Sequence, residues 1–126
     1  MSLLLRLAAG VSLFWAVLAF WLRRYVVAAD QLTPVVQALA NALGITNLVL
    51  AVLFWYAAGD PGGRRGIVYG AIALWALRTA DALYGLLVLL PAEQAVFSLA
   101  DLIVSLALLV GLIEALSRLP AAKRSA

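Results

Sequence analysis

The chain has 126 residues, 67% of them hydrophobic, and a formal net charge of +3; that is room for one domain, and soluble domains are only about 45–50% apolar. It contains neither cysteine nor histidine, which excludes thiol redox chemistry, covalent c-type haem, a Ser/His/Asp triad and the usual zinc sites. The eight arginines and one lysine form no long basic run, so they point to lipid headgroups and not to nucleic acid.

Four apolar runs, Leu3–Leu22, Val35–Ala58, Gly66–Leu90 and Ala95–Ser117, are each near or above the roughly 20 residues that cross a hydrocarbon core. The predicted fold is all-α: an up-down four-helix integral membrane bundle, one membrane domain over residues 1–126 with a basic tail over 118–126. After the first run, Val27-Ala28-Ala29 has the small residues that a signal peptidase accepts. The run is long for a signal core and Arg23-Arg24 follow it, so it reads as a retained first helix. Thr33-Pro34 supplies an N-cap and a proline at the first helical position, which starts the second helix.

Gly59-Asp60-Pro61-Gly62-Gly63 is dense turn chemistry and ends that helix. With Arg64 and Arg65 the stretch reads GDPGGRRG, which lacks the GK[ST] ending of a phosphate loop. It is a tight turn and a topology signal without need of a ligand. Pro91 breaks the third run and opens the fourth, with Glu93 in the first turn favourably placed against the helix dipole. Pro120 closes the fourth helix, whose Glu114 and Arg118 form an i, i+4 interfacial pair.

With an even number of crossings, the N-terminus, the second connection and the tail share one side, carrying Arg6, Arg64, Arg65, Arg118, Lys123 and Arg124. The other side has Arg23 and Arg24 only, and this bias puts both termini in the cytoplasm. Trp21, Tyr25, Trp55, Tyr56 and Tyr69 lie toward run ends, as interfacial belts prefer, whereas Trp15 and Trp75 are deeper. No internal repeat is visible, so an inverted-repeat transporter within one chain is not supported.

The third run carries Arg78 and Asp81, neighbours on one helical face. Central charges cost about 2.5–3.5 kcal/mol each on the insertion scale, comparable to what the leucines, isoleucines and valines of this run return, so the helix relies on neighbours to shelter them. Asp81 lies ten residues before Pro91 and Asp101 ten after, which predicts equal depth, about 15 Å at 1.5 Å per residue. Gln94, Ser98, Asp101 and Ser105 follow i, i+4, i+7, i+11, a single polar stripe expected to face inward. On the second helix Asn41 falls about 12 Å and Asn47 about 21 Å in, with Gln37, Asn41 and Gly44 on one face. Ser12 of the first helix lies between Ala8 and Ala16 in a small-xxx-small pattern that permits close approach. The expected buried cluster is therefore Arg78, Asp81, Asp101, Asn41, Ser105 and Ser12, flanked by Gln37, Asn47, Gln94 and Ser98, with Arg64 and Arg65 in the cytoplasmic loop.

Two readings of this layer follow. Arg78 has five donors and can bridge both carboxylates as a static register device. Alternatively, one arginine against two carboxylates leaves −1 in low dielectric, which favours a protonated aspartate able to exchange a proton or bind a cation. Equal-depth aspartates are also a feature of intramembrane aspartyl proteases. Here the contexts are TADAL and SLADL without a GxGD motif, and Arg78 opposes the shared proton.

The region NLVLAVLFWYAAGDPGGRRGIVYGAIALWALRTADALYG resembles small four-helix bacterial membrane proteins of the BphX-like and DoxX-like type over about a third of the chain. The resemblance implies a four-helix bundle in the bacterial cytoplasmic membrane, often an accessory component, and transfers no functional residue. Small multidrug transporters place their carboxylate, a glutamate, in the first helix, which here has no acid; the glycine-rich and Asn motifs of fluoride channels are missing. The leading expectation is a non-enzymatic accessory or partner-binding subunit in the bilayer, homo-oligomeric or joined to a membrane protein, with no cofactor and no metal. The alternatives are a proton- or cation-coupled small-molecule transporter using Asp81 and Asp101, and a lipid or hydrophobic-ligand binding protein.

Overall fold

The computed structural model describes residues 1–22, 29–89 and 95–120. Four long helices carry the chain: α1 (Ser2–Val17), α2 (Pro34–Ala58), α3 (Arg65–Tyr84) and α4 (Ala95–Ser117). α1 runs on into a π-helical turn, Leu18–Leu22, and α3 into another, Gly85–Leu89. No strand occurs among the described residues. Ser2–Trp21, Pro34–Ala58, Arg65–Val88 and Ser98–Ser117 are long and apolar enough to cross a membrane. The all-helical class and the four candidate spans read from the sequence are thus present.

Local chemistry sets the boundaries. Leu- and Ala-rich runs without internal proline favour helix, and α2 starts at Pro34, where Thr33 Oγ1 accepts the Val36 N–H at 3.3 Å. α2 ends in the glycine-rich turn, where Asp60 Oδ1 accepts the Gly63 N–H at 3.0 Å. Arg64 donates to the Tyr56 carbonyl and lies 3.6 Å from that ring's centroid, and Arg65 donates to the Pro120 carbonyl. Both loop arginines therefore tie the turn to neighbouring helix ends. The boundary at Pro91 and Glu93, the basic pair Arg23 and Arg24, and the tail residues Lys123 and Arg124 fall outside the described residues.

Sequence neighbours pack as hairpins, α1 along α2 and α3 along α4, and the seams between the two hairpins are slighter. The core draws on all four helices, with Leu5, Ala8, Phe54, Val68, Trp75 and Leu112 among its members. Small residues line the buried side of α1, where Ala8, Ser12 and Ala16 are all buried. Gly44 faces the Phe20 ring so closely that a Cβ there would lie 2.7 Å from Cζ. Many leucines point outward, with Leu3 70%, Leu77 70% and Leu87 72% exposed. An interior rich in alanine beside a surface rich in leucine is the distribution expected where the surroundings are as apolar as leucine and close packing selects what sits at the seams.

Candidate functional site

α3 buries Val68, Ala71, Trp75 and Ala82 on one side, and Arg78, one turn after Trp75, follows that side inward. Its guanidinium meets every other helix. Nη2 stands 3.4 Å from Asp101 Oδ1 of α4, and Nη1 stands 3.5 Å from Asn47 Oδ1 of α2. The Trp15 ring of α1 and the Trp75 ring of α3 each lie with their centroids 5.0 Å from its Cζ. Both polar contacts are long, since N–H···O bonds usually span about 2.7–3.2 Å, so the pair is held as much by charge and by the two ring faces as by directed hydrogen bonds. The Arg78 and Asp101 side chains are 19% and 17% exposed.

The carboxylate is shared. Ser105 Oγ, fully buried one turn along α4, donates to the same Asp101 Oδ1 at 3.4 Å. Asn47 is held in turn by its own amide, Nδ2 donating to the Leu43 carbonyl at 2.9 Å, which aims Oδ1 at the arginine. The site is thus a half-buried arginine clasped by one residue from each neighbouring helix.

Several expectations need correction. Asp81 does not join the cluster: it is exposed on α3 and makes no hydrogen bond or ion pair among the described residues, acting on Arg78 only through longer-range charge. Each three-residue step falls about 60° short of a full turn, so Arg78 sits at the margin of the side that buries Trp75 and Asp81, about 120° from Trp75, lies off it. The equal count about Pro91 therefore does not yield a carboxylate pair. Asn41 is likewise exposed, and the contact goes to Asn47, expected only as a flanking group. The two lie six residues, about 120° of helix, apart, so one alone can face the core. Gln37 serves the helix start, its Nε2 donating to the Leu32 carbonyl at 3.0 Å.

Ser12 is fully buried, as expected, but its Oγ has no hydrogen-bond partner among the described residues. Ser98 is half-buried and contributes nothing to the clasp. Gln94 lies outside the described residues. Arg64 and Arg65 bind backbone carbonyls and do not open an anion cradle. Sequence reasoning missed Trp15 and Trp75 as members of the site; the signal was present, because these were the two tryptophans set away from the run ends.

Two apolar grooves flank α1. One, against α2, encloses about 450 Å³ and includes Arg6, Gly10, Leu48 and Trp55. The other, against α4, encloses about 580 Å³ and runs from Arg6 past Gly10 and Phe14 to Trp15 and Asp101. Gly10 opens both, since a Cβ there would meet nothing within 4 Å. Among the described residues no group of acidic side chains could hold a metal ion.

Fold and site together define described residues that are all helix and turn, with four apolar helices long enough to cross a membrane and an Arg78–Asp101 clasp between two of them. No protein-family model matches the chain, and neither a curated protein nor a solved structure is similar enough to count as a match.

Proposed function

We propose that the chain is a four-helix, up-down integral membrane protein of the cytoplasmic membrane, with both termini cytoplasmic, acting as a non-enzymatic accessory or partner-binding subunit. The observation that carries this reading is the commitment of Arg78: one guanidinium touches Asn47, Asp101 and Trp15 on three different helices. In a medium with little hydrophobic drive between helices, such a node fixes rotation and depth. The charge bias across the loops supports the sidedness, and the likeness to the BphX-like and DoxX-like proteins belongs to this proposal. The proton-coupled carrier is less well supported, because Asp81 and Asp101 do not share a site.

Flux measurement tests the reading. Purified protein in proteoliposomes under an imposed pH gradient is expected to move no protons or small cations beyond the lipid background. Proton-driven uptake abolished by Asp101→Asn would replace the static clasp with a carrier. Since the chain has no cysteine, sidedness is read from single variants Ser2→Cys and Asp30→Cys with an impermeant maleimide. In intact cells Asp30→Cys should label and Ser2→Cys should not.

A second reading has its own observation. The α1–α4 groove is apolar along Leu7, Val11 and Val104 and ends at Asp101, a shape suited to a lipid chain or other hydrophobic ligand entering sideways from the bilayer. Native mass spectrometry from nanodiscs would show such a molecule retained, and Gly10→Leu would displace it.

A further inference from the structure

Asp81 lies within a candidate span yet has no hydrogen bond or ion pair among the described residues, and it stands on the outer surface. Asp81 is exposed, and so are its neighbours on that face, Leu77, Tyr84 and Val88, at 70%, 53% and 64%. Seven residues separate it from the end of the candidate span at Val88, about 10 Å at 1.5 Å per residue. Arg78, the cation beside it in the span, is turned inward onto Asp101 and Asn47. Counting Arg78 as +1 and Asp81 and Asp101 as −1 each, the layer carries a net −1, located at an outward carboxylate where a membrane offers no compensating charge.

The same face is open for approach. Gly66, Gly70 and Ala73 occupy i, i+4 and i+7 below Leu77 and are all exposed. A Cβ added at Gly66 or Gly70 would meet nothing within 4 Å. Small residues in this spacing let another helix backbone come close.

We infer that this face of α3 docks a transmembrane helix of a different protein that carries a lysine or arginine at the depth of Asp81, an inference that rests on the partner-binding reading above. Charge selects the occupant. A second copy docking by the same face would bring a like carboxylate toward Asp81, because a two-fold contact repeats one patch on both sides. An apolar helix would leave the charge uncompensated, and a lipid phosphate would be repelled by it. A basic side chain neutralises the layer, and the glycine stretch lets its helix reach the carboxylate.

The experiment uses the full chain, labelled with an acceptor at Ser2→Cys, in phosphatidylcholine vesicles. Donor-labelled synthetic poly-leucine transmembrane peptides are added that carry Lys, Leu or Glu at one position about 10 Å from the membrane face. Energy transfer should show the Lys peptide binding about tenfold more tightly than the Leu peptide, the upper range for one interhelical polar contact. Asp81→Asn and Gly70→Leu should each abolish that preference while leaving the thermal unfolding midpoint unchanged. Equal binding of the Lys and Leu peptides overturns the inference. Self-association of the wild type that Asp81→Asn removes overturns it in favour of a second copy, and a lowered unfolding midpoint in Asp81→Asn overturns it by making Asp81 part of the bundle's own support. Proton flux dependent on Asp101 would remove the accessory-subunit reading without touching the peptide result, so the two failures are distinct.

Discussion

Replacing Arg78 with methionine removes the charge and keeps a long apolar stem. At 3.4 Å from Asp101, the lost attraction is about 5 kcal/mol at an effective dielectric of 20. Two ring contacts at 5.0 Å add about 0.5–1 kcal/mol each. Against this, the variant no longer has to desolvate the guanidinium, and stranding one member of a buried pair costs about 3–5 kcal/mol in measured cases. We expect Arg78→Met to lose about 3 kcal/mol, since Ser105 still donates to the carboxylate. Trp15 and Trp75 border the arginine, so reversible unfolding in mixed micelles can be followed by tryptophan fluorescence. The double variant Arg78→Met/Asp101→Leu removes both charges and should recover most of the loss, because apolar replacement of a buried pair is often neutral or stabilising by about 1–4 kcal/mol. A single variant as stable as the wild type, or a double variant no better than the sum of the two singles, would refute the clasp.

Gly44→Ala places a methyl 2.7 Å from Phe20 Cζ, and overpacking of this kind costs about 1–3 kcal/mol; Phe20→Leu in the same background should restore the thermal midpoint. Ser12→Ala removes a buried hydroxyl that has no partner among the described residues, so it should be neutral or stabilising by about 1 kcal/mol in the same unfolding assay. A marked loss would reveal a hydrogen bond of Ser12 within the core. Thr33→Ala deletes the cap that accepts the Val36 N–H and should cost about 1 kcal/mol, seen as faster amide exchange over the first turn of α2.

Features that depend on runs of residues and on local hydrogen bonding are legible in the chain alone. Hydrophobic length named four candidate spans, Thr33-Pro34 started α2, and the Gly59–Gly63 turn ended it, because apolar transfer and capping act over neighbouring positions. The pairing of Glu114 with Arg118 formed as an i, i+4 contact should. Which polar groups meet depends instead on how the helices pack in three dimensions. Counting residues from a turn gives depth, but each residue rotates a side chain by about 100°, and the angle at which a helix faces its neighbours comes from packing. That rotation chose Asn47 over Asn41 and left Asp81 outside. It also turned Trp15 and Trp75, present in the sequence only as tryptophans set deep, into the walls around Arg78.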